Sequence, residues 1–337
     1  MNSRVRIGIL IAVTAGLMLV AASMVGVNVF AILDAMILSS YKDPVRFTVM
    51  LQKLTVYTVA GVAVHLALRA GLFNIGVEGQ FLMGGLAASV AALSVPGPVG
   101  MVLGALAGAT AGGFWAWPAG WLKARKGSHE VISTIMLNAI AANLSFFLIA
   151  GVLKDPKAST AATANLPAET RIPAVLTSYV GMNALVINSA LLVAAVVYVV
   201  YYRWLTRSVK GFEVSAVGEN PTAARFAGVN SPSVVLRAMV SSGAIAGFAG
   251  SLHLMSATGK FVSSFSDGYG YDSLGVALLS GGHPAALVPS AVLFATLGAG
   301  TPKVQQLGVP LGLTTVVLAL VIVIFAAIRA TKGAKNV

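Results

Sequence analysis

The chain contains no cysteine, so neither a disulfide nor a thiolate metal site can form. Charge is almost as scarce. Only 9% of its 337 residues are Asp, Glu, Lys or Arg, against roughly 25% in soluble domains. The four histidines, His65, His129, His253 and His283, have no metal-ligand spacing. No G-x-x-x-x-G-K-[ST] phosphate loop is present, so the chain does not bind ATP by that route. Neither H-E-x-x-H nor G-x-S-x-G occurs, which leaves an intramembrane hydrolase without support. The apolar runs carry no arginine ladder, which argues against a voltage sensor.

What is present is apolar: 57% hydrophobic residues and a mean hydropathy of +0.88. This composition describes an all-α polytopic membrane protein. About 20 apolar residues cross a bilayer, and ten spans are expected: 7–30, 49–69, 80–95, 99–122, 131–153, 184–202, 234–255, 271–280, 285–300 and 311–328. The eighth and ninth are short and interrupted by glycine. The run starting at residue 7 is too long for the core of a cleaved signal, so it is expected to stay as the first helix. The whole chain, 1–337, reads as one transmembrane domain, with a helix at 7–30, core repeats at about 49–153 and 234–328, and an internal loop at 203–232.

The formal net charge is +12. In this context it points to topology and anionic lipid headgroups rather than to nucleic acid. Alternating the spans from an inside N-terminus puts 14 of the 22 Lys and Arg residues inside, so both termini are expected to be cytoplasmic. Trp115, Trp117, Trp121 and Trp204 then fall near inner ends, as an aromatic belt would.

Residues 71–85, GLFNIGVEGQFLMGG, carry the densest polar signal within an apolar stretch. A carboxylate at membrane depth costs about 2.5–3.5 kcal/mol or more, and broken backbone survives there only where protein or a cavity satisfies it. Either this is a re-entrant or unwound segment lining a translocation path, with Glu78 facing it or tying down the broken backbone beside Asn74 and Gln80, or it is an inner turn in which Glu78 caps the next helix through the dipole. Because Arg69 precedes it, the segment is expected at the cytoplasmic end of the second span, with Glu78 bracing broken backbone or guarding the inner mouth. A second break, 259–270, follows the seventh span. The two spans run in opposite directions, as inverted repeats would.

Asn138 and Asn143 lie inside the fifth span, where an amide either bonds a neighbouring helix or faces a pore. Ser128 is expected to cap that helix, with Glu130 in its first turn. Phe265 and Tyr269 beside the second break could stack on a flat ring or anchor at the interface. Asp272 is expected to cap the eighth span, and His65 and His253 to be buried and hydrogen-bonded. The outer loop 154–183, rich in Ala, Thr and Pro, reads as irregular or partly helical.

The inner loop holds a short helix: Asn220 as cap, Pro221 at its first position, Thr222 to Ala227 as its body and Gly228 as its stop. Its length and helical core suit a knob that docks a cytoplasmic partner better than an ordinary basic loop held at the headgroups, which is the alternative. A secondary carrier or channel would need buried carboxylates away from helix ends, and only Asp34, Glu78 and Glu130 come near that description.

In order along the chain, GLFNIGVEGQFLMGG (71–85), KGSHEVISTIMLN (126–138), VGENPTAARFAGVN (217–230) and YDSLGVALLSGGHP (271–284) resemble the permease subunits of bacterial ABC importers for nucleosides and simple sugars. The first two stretches look more like nucleoside than ribose permeases. The resemblance covers about residues 55–325. It implies ten helices in a type II importer-like fold, an inner bacterial membrane, a second permease chain that could be identical or different, cytoplasmic ABC ATPase subunits and an external substrate-binding lipoprotein. It implies no cofactor in this chain, since ATP and Mg would belong to the ATPases. Docking would map onto Gly218, Glu219, Asn220, Pro221, Ala224, Arg225 and Gly228. The family resemblance assigns no substrate residues, so the path candidates Asn74, Glu78, Gln80, Asn138, Asn143, Phe265 and Tyr269 rest on the residue arguments alone.

Overall fold

A computed structural model describes residues 26–180 and 183–310, with a few isolated positions beyond them. The expected first and last spans, 7–30 and 311–328, lie mostly outside the described residues. In chain order the helices are α1 (Val29–Leu33), α2 (Ser39–Lys42), α3 (Pro44–Arg69), α4 (Val77–Ser94), α5 (Gly97–Lys126), α6 (Glu130–Ala150), α7 (Ala190–Arg207), α8 (Val209–Glu219), α9 (Pro221–Phe226), α10 (Ser231–His253), α11 (Tyr269–Leu279) and α12 (Leu287–Gln306). Seven of them, α3 to α7, α10 and α12, are long and apolar enough to cross a membrane among the described residues. The expected eighth span is α11, only 11 residues long, about 16 Å at 1.5 Å per residue and too short to cross alone.

The outer loop differs from expectation. Ala174–Val180 and Asn183–Asn188 form β1 and β2, a two-stranded sheet. Val175, Leu176, Tyr179, Val186 and Ile187 are β-branched, aromatic or aliphatic and suit a pleated ribbon. This moves the start of the sixth expected span from 184 to Ala190.

The contacts divide the chain into two compact units. The first comprises residues 1–53, 177–186 and 292–337. Its core gathers Ile32, Met36, Leu297 and Val304. Ser40 Oγ donates to the Thr296 carbonyl at 2.8 Å, and a Cβ on Gly300 would stand 2.3 Å from the Met36 carbonyl oxygen.

The second unit, residues 54–176 and 187–291, holds the segments of interest. At its centre α4, α5 and α10 pack through glycine. Gly100, Gly104, Gly108 and Gly112 recur every fourth residue on α5 and are all buried. A Cβ on Gly112 would lie 2.3 Å from the Gly243 carbonyl oxygen, and one on Gly84 would lie 2.2 Å from the Gly247 Cα. Membrane helices lack a hydrophobic drive to associate with one another, so small residues that let backbones touch provide the contact.

This unit has two ends. One carries Arg69, Lys123, Arg207, Lys210 and Arg225 around the start of α6 and the helices α8 and α9. At the other, the Gly97 amide donates to Thr170 Oγ1, the Ile172 amide to the Met255 carbonyl, and the Phe261 amide to Thr163 Oγ1.

Candidate functional site: two broken segments that meet

The first break begins at the basic end of the second unit. Helix α3 stops at Arg69, Gly71 adopts φ +72°, a conformation that favours glycine, and residues 72–74 run without helical structure. Helix α6 shows where the break goes. Glu130, its first residue, takes the Phe73 amide on Oε1 at 3.2 Å and pairs with Lys123 Nζ through Oε2 at 2.8 Å. Asn138 then donates from Nδ2 to the Ile75 carbonyl at 2.9 Å and accepts the Gly79 amide on Oδ1 at 2.9 Å. Eight residues separate Glu130 from Asn138, about 12 Å along a helix axis. The break is therefore more than a tight turn between two helix ends: it runs beside the first two turns of α6, and α4 starts part-way along that stretch.

Asn74 and Gln80 face each other across this stretch. Asn74 Nδ2 donates to Gln80 Oε1 at 3.0 Å, and Gln80 Nε2 donates back to Asn74 Oδ1 at 3.1 Å. Asn74 also donates to Ser242 Oγ at 2.9 Å, and that hydroxyl donates to the Ala63 carbonyl at 2.7 Å. Both amides are buried. Pairing of this kind removes the cost of unsatisfied polar atoms away from water.

The second break descends from the opposite end. Phe265 lies against α4, where a Cβ on Gly85 would stand 2.3 Å from its ring. Gly268 takes φ +86° and α11 begins at Tyr269. There the two breaks meet. Glu78 Oε2 accepts the Gly270 amide at 2.8 Å, and a Cβ on Gly270 would lie 2.4 Å from the Glu78 Cα. Glu78 stands in the first turn of α4 and bonds the first turn of α11. One carboxylate thus faces the positive ends of two helices, the arrangement that favours negative charge.

An aromatic cluster surrounds this junction. The Phe261 and Phe265 rings stack with centroids 4.3 Å apart, His253 lies 4.8 Å from Tyr269 and 5.1 Å from Phe265, and Phe81 lies 5.5 Å from Phe265. Tyr57 donates to Asp272 Oδ2 at 2.6 Å, so Asp272 ties α11 to α3; Gly268, not Asp272, takes the cap position of α11. His65 is buried and bonded to the Tyr201 hydroxyl. Helix α6 likewise starts from His129 rather than Ser128, whose hydroxyl finds no partner among the described residues.

Six of the seven path candidates, Asn74, Glu78, Gln80, Asn138, Phe265 and Tyr269, are thus buried around the two breaks. Asn143 stands apart: it is exposed on α6 and, among the described residues, its Nδ2 bonds only the Ala139 carbonyl of its own helix. The brace supplied by Glu130 was not anticipated, although a signal existed. Glu130, Thr134 and Asn138 fall at i, i+4 and i+8 on one face of an apolar helix, and all three are buried.

The inner loop forms as its residues dictate. Asn220 Oδ1 accepts the amides of Thr222 (3.0 Å) and Ala223 (2.9 Å), Pro221 starts α9, and Gly228 follows at φ +85°. Ala224 is buried, whereas Phe226 is 91% exposed. The preceding helix α8 was not foreseen. It ends in a tight contact with the first break: a Cβ on Gly218 would lie 2.1 Å from the Arg69 carbonyl oxygen, and one on Gly71 3.2 Å from the Gly218 Cα. The loop and the break are therefore joined backbone to backbone.

Comparisons with known proteins identify the family. The chain is 37% identical to the guanosine ABC transporter permease protein NupP of Bacillus subtilis (strain 168), over 84% of this chain and 82% of that one. It is 33% identical to the nucleoside ABC transporter permease protein NupB of Lactococcus lactis subsp. cremoris (strain MG1363), over 77% and 73%. It is 32% identical to the glucose ABC transporter permease protein TsgB13 of Haloferax volcanii, over 91% and 82%. No solved structure matches the chain. Residues 46–326 match the family described as branched-chain amino acid transport system / permease component, and the chain belongs to that family of membrane permeases.

Proposed function

We propose that the chain forms the translocation path for nucleosides in an ATP-driven importer and is worked by cytoplasmic ATPases docked on residues 217–230. The observation that carries the coupling is the joint between Gly218 and Gly71. A partner that grips α9 and pulls α8 moves the foot of the first break directly. Phe226, on the exposed face of α9, is the anchor for that partner, since interface hot spots favour aromatic side chains seated in pockets. Glu219, Asn220, Pro221, Ala224, Arg225 and Gly228 shape or flank that helix.

Nucleoside transport follows from the printed roles of the relatives in Bacillus and Lactococcus. A simple sugar is the second reading, favoured by the relative in Haloferax. The assembly includes a second permease chain, identical or different, and an external binding lipoprotein, in a bacterial cell membrane with both termini inside. The basic end of the second unit, rich in Arg and Lys, supports that orientation. Ten helices in inverted repeats complete the architecture: α3, a break and α4 answer α10, a break and α11. A stand-alone carrier is disfavoured because Asp34 is exposed and paired with Lys42 at 3.5 Å, while Glu78 and Glu130 are committed to backbone amides.

The test is uptake of labelled guanosine and labelled glucose into vesicles holding the permease with its ATPases and binding protein. ATP-dependent uptake of guanosine is expected, and uptake without ATP would overturn the proposal. Phe226→Ala should weaken ATPase co-purification by roughly 30-fold, as loss of a hot spot does. Unaltered co-purification would remove Phe226 from the docking role.

A further inference from the structure

A groove lies apart from the breaks. Within the second unit, α3, α5, α7, α8 and α10 enclose a groove of about 780 Å³, within the range that houses one mid-sized ligand. Its walls are largely aliphatic, with Val62, Val200 and Ile245 among them. Trp117 and Trp204 also line it, and it reaches Lys210, Glu213 and Arg237 at the basic end of the unit. The groove suits the transported solute poorly. Sugar hydroxyls would find few partners on such walls, and the Tyr201 hydroxyl is already engaged with His65.

The cations at the groove's end are only partly committed. Lys210 is exposed and has no ion-pair partner among the described residues. Arg237 reaches Glu213 loosely, at 3.8 Å, and gives its Nε to the Ser233 carbonyl at 3.2 Å. Its side chain keeps 54% exposure. Along the membrane-facing side, Val196 and Val200 on α7 are 61% and 60% exposed, so the groove is bounded by apolar surface. Taken together these features describe a ligand with a long apolar tail and an anionic head. Basic pockets between membrane helices near the cytoplasmic face hold such headgroups, and tryptophans mark the interfacial level.

We propose that this groove is a binding site for one anionic phospholipid, its acyl chain between α7 and α10 and its phosphate on Lys210 and Arg237. The leaflet, though not the site, rests on the orientation proposed above. The lipid would touch α8 through Lys210 and Val214, four residues before the Gly218 joint. It thereby braces the element through which the ATPases act on the first break.

The experiment uses the full-length chain, stripped of lipid in detergent, then mixed with phosphatidylglycerol or phosphatidylcholine and weighed intact by native mass spectrometry. Phosphatidylglycerol should be retained roughly 10- to 30-fold over phosphatidylcholine, the preference expected of two cations near a headgroup. Lys210→Gln with Arg237→Gln should erase that preference. Lys126→Gln, a cation at the same end but outside the groove, should leave it unchanged. Val200→Trp, which fills the groove, should lower retention of both lipids in a chain that elutes as the wild type does. Equal retention of the two lipids by the wild type, or a preference that survives the double substitution, would overturn the assignment. So would a Val200→Trp chain that loses self-association while holding lipid as before, since the groove would then seat a second copy. Lipid retention is read without transport, so its failure is separate from any failure of the nucleoside reading.

Discussion

Replacing Asn138 by Ala should open the first break while leaving the remainder of the second unit closed. Asn138 is buried and serves two backbone groups that no helix satisfies, the Gly79 amide and the Ile75 carbonyl, both at 2.9 Å. Truncation orphans both. Each orphan costs about 1–3 kcal/mol, and little water is at hand inside a membrane to take the place of the amide. The total is roughly 2–6 kcal/mol, concentrated where α4 begins. The Gly79 amide alone loses about 1–3 kcal/mol of protection, so it should exchange with solvent roughly 5- to 150-fold faster. Hydrogen–deuterium exchange read on peptides covering residues 72–82 measures this directly. Asn143→Ala is the matched control, because that amide is exposed and, among the described residues, bonds only its own helix. If peptides 72–82 exchange alike in Asn138→Ala and wild type, or if Asn143→Ala accelerates them equally, the bracing argument is refuted.

Two further substitutions probe the ends of the same device. Gly218→Val places a side chain 2.1 Å from the Arg69 carbonyl oxygen and should part α8 from α3. ATPase subunits should still co-purify while substrate no longer stimulates ATP hydrolysis, and stimulation at the wild-type level would show that the joint does not transmit motion. Glu78→Ala strands the Gly270 amide and should cost about 1.5–3 kcal/mol of stability, seen as an earlier thermal aggregation onset. Glu78→Gln keeps an acceptor and should lose less than half of that, so a glutamine variant weaker than the alanine one would show that the junction needs something other than the hydrogen bond.

Local chemistry made the inner loop legible. Asn220, Pro221 and Gly228 cap, start and stop α9 because each acts on amides and dihedrals within three or four residues of itself. Glycine density likewise marked both breaks. Their partners stayed hidden because they lie far along the chain: Glu78 meets Gly270 across 192 positions, and Asn74 meets Ser242 across 168. Counting spans says where residues 71–76 begin, after Arg69, but not how far they run, because their partners Glu130 and Asn138 lie more than fifty positions away on α6. The ribbon of β1 and β2 was masked by the Ala, Thr and Pro that dominate the rest of the outer loop. Helix α8 contains two glycines, Gly211 and Gly218, which are poor helix formers, yet both allow close packing: a Cβ on Gly211 would lie 2.4 Å from the Trp204 carbonyl oxygen.

The glycine seams among α4, α5 and α10 bear on how such a protein could change shape. Where Gly84, Gly112, Gly243 and Gly247 touch main chain to main chain, no rotamers exist to reshuffle. A seam of this kind cannot shear by trading one side-chain packing for another; it holds or it parts. The three helices therefore travel as a single solid block. Alternation between open and shut would be articulated where the main chain leaves this block without helical structure, residues 71–76 and 260–268 among those stretches.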